Sequence, residues 1–375
     1  MKPPLAARLA AATGAERNPI MAACLRAERS CALSRQGQLD EARRAIDELQ
    51  VQFAWQPQPA VSAWLNLAEG INHYYRHERD SAAALDLIQR AHALSRAAQM
   101  APLHALAAAW LAHMCLVRDD MTRMAQHLVE ALQQARADHH GARSRACLIA
   151  ANAYHLAGSL ERALPWYTRA RVHAVADGDE ATLASLMHNQ SSLRSHAVRL
   201  AALFDGDSLA HAEDARIALL GSESSGHYDI GTDNRALAST VPLEQAMLLT
   251  TCGRWKDALA LFETWFDAAR REGFDRLEPC FLADMALCRL ELGDADGALR
   301  DAAEAQTALT RPCDVDDRAI AQAQLAHVYD LLGRPDEAAL LRERARRDLA
   351  AHEAEQARLL ALLDGALGGI DIAGA

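Results

Sequence analysis

Residues 321–345 read AQAQLAHVYDLLGRPDEAALLRERA, and this stretch decides the fold. Leu325, Ala326 and Tyr329 fall at helical spacing, Gly333 interrupts, and Ala338 and Ala345 resume one face of a second helix. Glycine accepts the left-handed backbone that ends a helix without a Cβ clash. Asp336 and Glu337 then occupy the first turn of the next helix, where negative charge favours the helix dipole. Ala338, five residues after the glycine, is small enough for two helix axes to cross closely. The stretch is a helical hairpin written in about 25 residues.

Working outward, the same arrangement recurs. Gly293 leads to Ala298-Leu299, Gly253 to Ala258-Leu259, Gly158 to Ala163-Leu164, and Gly37 to Ala42. Weaker copies place Arg79 before Ala84-Leu85 and Asp120 before Ala125. The last three glycines are 40 residues apart, and the earlier spacings are 42, 41 and 38. A fixed period of this size marks a repeat array, in which each unit buries its apolar face only by stacking on its neighbours. Composition agrees: the chain of 375 residues is 51% hydrophobic but only 5% aromatic. Alanine and leucine dominate, β-branched residues are scarce, and that balance favours helix over strand.

The unit resembles the tetratricopeptide repeat, which sets Leu, a small residue and Tyr before the Gly and Ala. The best copies are Leu325, Ala326, Tyr329, Gly333, Ala338, Ala345 and Ala150, Ala151, Tyr154, Gly158, Ala163, Tyr167, Ala170. A third reads Ile71, Asn72, Tyr75, Ala84, Ile88, Ala91 without the glycine. The usual period is about 34. The longer period here is similar to the helical arms of large LuxR-type bacterial regulators of the maltose-activator kind. The resemblance spans roughly residues 20–350 and implies an all-α, right-handed superhelical solenoid of antiparallel helix pairs, with about eight hairpins.

The pattern breaks between Gly158 and Gly253, 95 residues apart. A long helix is expected over about 180–204, a turn at Asp205-Gly206-Asp207, and a second helix to about Leu220. GSESSGHYDIGTDNRALAST, residues 221–240, lacks helical periodicity and is rich in turn formers, so it reads as an irregular loop. The expected organisation is a lead-in over 1–20, an array over 21–220, that loop, a second array with a capping helix over 241–363, and a flexible tail over 364–375.

Charge and motifs bound the function. The net charge is −11 with a pI near 5.8, which argues against nucleic acid, since phosphate binding needs a basic surface. No stretch approaches a membrane span or a secretory signal, so a cytoplasmic setting is expected. The eight cysteines form no C-x-x-C pair and read as small buried apolar groups; no zinc cluster is visible among them. Phosphate loops and nucleophile elbows are missing, and so are the strands that would hold them. The reading is non-enzymatic, with no cofactor and no metal.

Glu69, His73 and His77 share one helix face at i, i+4 and i+8. Metal ligation and a polar groove face both fit that spacing, but HYYRH lacks the glutamate that zinc proteases place after the first histidine. His139-His140 falls at a turn. In tetratricopeptide arrays the first helix of each unit lines a concave groove. Carrying that register over gives Asn66, Glu69, His73, Arg76 and His77 in one unit, Trp110, Met114 and Arg118 in the next, and Arg145, Asn152 and His155 in the third. A polar stripe of Asn189, Ser192, His196 and Arg199 follows, and Leu243, Met247, Ala283, Leu287 and His327 line the later units. The resemblance therefore implies a protein or peptide ligand, held partly by forked arginine donors that suit carboxylates. A regulatory sensor acting in trans on a transcriptional or signalling partner is the alternative. Self-association is expected at the alanine-rich N-terminal end.

Overall fold

The computed structural model describes residues 3–77, 82–205, 208–236, 240–271 and 274–371. These residues form seventeen α-helices and no strand: α1 Leu5–Ala15, α2 Pro19–Arg35, α3 Leu39–Gln52, α4 Pro59–His77, α5 Ala82–Ala97 and α6 Ala101–Val117. There follow α7 Met121–Gln134, α8 His140–Leu156, α9 Leu160–Asp177, α10 Glu180–Phe204, α11 Ser208–Gly231 and α12 Thr240–Thr251. The series closes with α13 Trp255–Arg271, α14 Glu278–Glu291, α15 Ala295–Ala308, α16 Val315–Leu331 and α17 Pro335–Leu367. Antiparallel hairpins pair α2 with α3, α4 with α5, α6 with α7, α8 with α9, α12 with α13 and α14 with α15. First helices also stack on first helices, α2 on α4, α6 on α8 and α14 on α16.

The turn chemistry is uniform. Gly37, Gly158, Gly253, Gly293 and Gly333 all have φ between 72° and 89°. The amide after each donates back to a carbonyl five residues earlier, as Arg334 does to Tyr329 at 2.8 Å and Ser159 to Tyr154 at 2.9 Å. This is the bond that satisfies helix C-terminal carbonyls. Each alanine five residues on, Ala42, Ala163, Ala258, Ala298 and Ala338, is 0% exposed.

One weak copy needs a shift of register. The left-handed residue in that turn is Asp119, with φ 56°, not Asp120. Asp120 instead caps α7 by accepting from the Arg123 amide at 3.2 Å. The tight-crossing position is accordingly Met124, fully buried, with Ala125 beside it. Arg79, the other weak copy, lies outside the described residues.

Two compact units divide the chain, one of residues 1–186, 229–236 and 358–375, the other of 187–228 and 237–357. The boundaries fall within α10, within α11 after residue 228, after residue 236 and within α17, so two of the four lie inside 221–240. The first half of that segment is helical rather than irregular: α11 continues into it as far as Gly231, turns follow over 232–236, and α12 begins at Thr240. Gly221, Ser222, Ser225 and Gly226 fall on one helix face, and Ser222 and Ser225 are buried. A Cβ on Gly221 would sit 3.7 Å from Ser191 Oγ of α10, and one on Gly226 3.5 Å from Val241 Cγ1 of α12. The small residues are a close-packing stripe, and tertiary contact overrides their weak helix propensity.

The lead-in is helical, and the last helix runs further than the expected tail allows. In the first unit α1 packs on α2, and the Leu5 amide donates to the Gly178 carbonyl at 2.8 Å. At the other end α17 runs to Leu367, with Leu363 and Leu367 buried in a cluster that includes Tyr154, Trp166 and Leu186. The expected tail from 364 is therefore partly core, while residues 372–375 lie outside the described residues.

Candidate functional site

In the first unit, four successive first helices place aromatic and charged groups together. From α6 comes Trp110, 1% exposed, and from α8 Arg145, 3% exposed, whose guanidinium carbon lies 4.1 Å from the indole centroid. Tyr74 and Tyr75 of α4 meet the same ring edge-on at 6.3 and 6.5 Å, and His113 at 5.4 Å. The Tyr74 hydroxyl and His113 Nε2 are hydrogen-bonded at 3.0 Å. Below them Arg35 of α2 reaches Asp179 at 2.7 Å and Thr182 at 2.9 Å. Asp179 itself caps α10, accepting from the Thr182 amide at 3.0 Å and its hydroxyl at 2.8 Å.

The electrostatics of the two arginines differ. Burial works against the charge of Arg35, but Asp179 outweighs it and raises its pKa; Asp179 in turn is held below the usual carboxylate range. Arg145 has no such partner. Burial pushes its pKa down, Tyr75 opposes that shift, and neighbouring Arg35 adds to it. Its Nε and Nη2 have no hydrogen-bond acceptor among the described residues. A buried guanidinium in this state costs several kcal/mol, of which stacking on Trp110 returns about 2. Two open N–H groups on a planar cation, walled by aromatic rings, can take a carboxylate or similar anion side-on.

Of the residues the sequence proposes, Trp110 and Arg145 are brought together here. Others are engaged by their own neighbours. Glu69 accepts from Arg43 at 3.2 Å and Gln50 at 2.9 Å, Arg76 pairs with Asp40 at 2.7 Å, and Asn66 donates to the Ser62 carbonyl. The Tyr167 hydroxyl donates to Asn152 at 3.1 Å and meets His155 at 3.2 Å. His73 is half-buried and Arg118 exposed at the end of α6; the side chain of His77 lies outside the described residues.

Asn189, His196 and Arg199 belong to the second unit. Asn189 is half-buried, His196 pairs with Asp316 at 3.0 Å, and Arg199 joins Asp284 at 2.7 Å. Met114, offered by the same register, is 0% exposed and lies in the core. Hollows of about 650 and 390 Å³ open in the second unit between side chains such as Gln306 and Tyr329, or Gln245 and Thr264, and neither includes Arg145. The unpartnered guanidinium points to a site more directly than those open depressions do. Sequence reading missed Arg35, Asp179, Tyr74 and His113. The available signal was Gly178-Asp179, a left-handed residue followed by a helix cap.

The fold defines the class, an all-α helical-repeat protein, and no helix among the described residues is long and apolar enough to cross a membrane. No protein-family model matches the chain, and no curated protein is similar to it. Among solved structures it is similar to the crystal structure of Rap protein complexed with Competence and Sporulation Factor. That match has a TM-score of 0.51 at 12% identity and covers 90% of this chain and 100% of the other. At that identity the likeness is one of fold.

Proposed function

We propose that this chain is a protein- or peptide-binding module without catalytic activity, and that the Trp110–Arg145 cluster anchors an anionic group of its ligand. The observation that carries this reading is the buried guanidinium with two unoccupied N–H groups. A fold under no other demand would lose stability by keeping it. The similar Rap protein structure was solved with a factor bound, which supports a binding role for this architecture. The regulatory form of the reading, a receptor that responds to its ligand and acts in trans, rests on the same likeness and on the long repeat.

Affinity capture from the source lysate tests this reading, wild type beside Arg145→Met, with mass spectrometry of both eluates. A stoichiometric partner retained by wild type and lost by a folded variant supports it. Equal recovery by both proteins sinks the site. Small-angle scattering with and without the captured ligand separates a receptor, which changes dimensions, from a rigid adaptor, which does not. Self-association belongs to the same proposal: Val51 in the last turn of α3 and Trp55 in the connection after it are 76% and 94% exposed. Loss of a dimer in Trp55→Ala by light scattering would support that contact; a wild-type monomer would remove it.

A further inference from the structure

Three histidines and a glutamate converge at a different place in the first unit. His92 lies on α5, His104 in the first turn of α6, and His127 and Glu130 three residues apart on α7. His92 Nε2 is 3.1 Å and His104 Nε2 3.2 Å from the same oxygen, Glu130 Oε1, while His127 Nδ1 is 3.4 Å from Oε2. We propose that His92, His104 and Glu130 bind a divalent transition-metal ion of the zinc class, with His127 or a water completing the coordination.

The tautomer of His104 carries the argument. Its Nδ1 lies 3.3 Å from the main-chain oxygen of His92, which can only accept, so this nitrogen bears the hydrogen. A neutral ring then presents a bare lone pair at Nε2, 3.2 Å from a carboxylate oxygen. Two lone pairs do not face each other at that distance unless a cation lies between them. A proton could serve for one ring. Here, however, His92 converges on the same oxygen, and the two rings stack with centroids 4.3 Å apart. Two imidazolium ions face to face would repel, and the metal-free alternative is one protonated His104 beside a neutral His92 donating Nε2–H to the same oxygen; one shared metal ion instead serves two neutral rings that both turn Nε2 to it.

The remaining chemistry fits. An imidazole that donates Nδ1–H to a backbone carbonyl while Nε2 ligates is the usual outer-shell arrangement of metal-binding histidine. The ligand atoms of His92, His104 and Glu130 all lie within 4.8 Å of one another. Ligands about 2.0–2.1 Å from a tetrahedral ion stand about 3.3 Å apart, close to the 3.1 and 3.2 Å seen. Two imidazoles and one carboxylate suit zinc, cobalt or nickel rather than calcium or magnesium. The ion would tie α5, α6 and α7 together at the seam between two hairpins.

Chelator-treated, dialysed protein titrated with Co²⁺ should take up one equivalent, with the visible absorption of a low-coordinate site. Zn²⁺ should displace the Co²⁺ and raise Tm. His104→Gln and Glu130→Gln should each weaken Zn²⁺ binding at least tenfold by calorimetry, whereas His139→Gln, outside the cluster, should leave it unchanged. Should His104→Gln fail to fold, as judged by circular dichroism, the near-isosteric Glu130→Gln decides. The proposal is overturned by a folded wild type that takes up no metal, or by variants that bind as tightly as wild type. It is overturned equally if nitrogen NMR finds His104 doubly protonated at neutral pH and unaltered by Zn²⁺.

Discussion

Arg35 and Asp179 stand 144 residues apart in the chain and 2.7 Å apart in the fold. Their ion pair is almost wholly buried, with side chains 10% and 3% exposed. It joins the first hairpin to the start of α10. Asp179→Ala should cost about 3–5 kcal/mol, because it strands a buried arginine, and the lost helix cap adds to that. Asp179→Asn keeps the cap and should recover part of the loss. Chemical denaturation of both variants measures the difference; equal midpoints for the two would show that the cap carries no part of it.

Arg145 sits one residue type away from being ordinary core. Replacing it by methionine removes an unpartnered charge while preserving length and the contact with Trp110. Arg145→Met should therefore be as stable as wild type or more stable by about 1 kcal/mol. The same variant should lose ligand capture. A variant both destabilised and unchanged in binding would assign Arg145 a purely structural role.

The turn glycines separate two costs. Gly333 has φ 72° and nothing within 4 Å of an added Cβ, so Gly333→Ala pays only for the left-handed backbone, about 1 kcal/mol. Gly37 has φ 79°, and its Cβ would also lie 2.9 Å from the backbone of Arg235 and of Ala236. The Arg235 amide donates to the Gln36 carbonyl at 3.0 Å, which holds that approach in place. Gly37→Ala should exceed Gly333→Ala by about 1–3 kcal/mol. Thermal melts of the pair measure the excess, and equal shifts would show that the 235–236 segment yields freely.

Glu28 gives a pH dependence. Burial, then the nearby Asp177 carboxylate, raises its pKa from 4.5 to about 7. The folded chain thus holds a proton that the unfolded chain releases between those values. The stabilisation from Glu28 is complete below pH 4.5 and is lost as the pH rises through about 7. Glu28→Gln removes the dependence. Its stability relative to wild type should be about 3 kcal/mol greater at pH 8 than at pH 4.5. A constant difference across that range would show that Glu28 stays ionised in the folded chain.

The hairpins were legible in the sequence because their determinants are local. A glycine, an acidic first turn and an alanine at fixed offset are all read within ten residues. The Ser/Gly stripe of α11 was not, because what makes those residues helical is their contact with α10 and α12, not their own propensity. The same limit hides both sites. Arg145 could be placed on a groove register, but the lack of an acceptor for its guanidinium is a fact of three-dimensional burial. The zinc-class donors escaped a search for clustered ligands because they come from three helices over 39 positions, from His92 to Glu130. Histidine spacing within one helix, as at 69, 73 and 77, drew attention instead, and there the structure ties Glu69 to Arg43 and Gln50.

The apolar cluster built by residues 108–186 is closed by Leu359, Leu363 and Leu367. During synthesis that surface must wait for its cover. At about 5–20 residues per second, the roughly 175 intervening residues take about 10–35 seconds to emerge. Through that interval the part of the cluster that Leu359, Leu363 and Leu367 complete, beside Tyr154, faces either water or a chaperone. The first unit therefore cannot complete its core until residues 359–367 have emerged, although its repeats could otherwise form one by one as they leave the ribosome, and yield in the cell should depend on holdase capacity more than on the stability of the finished protein.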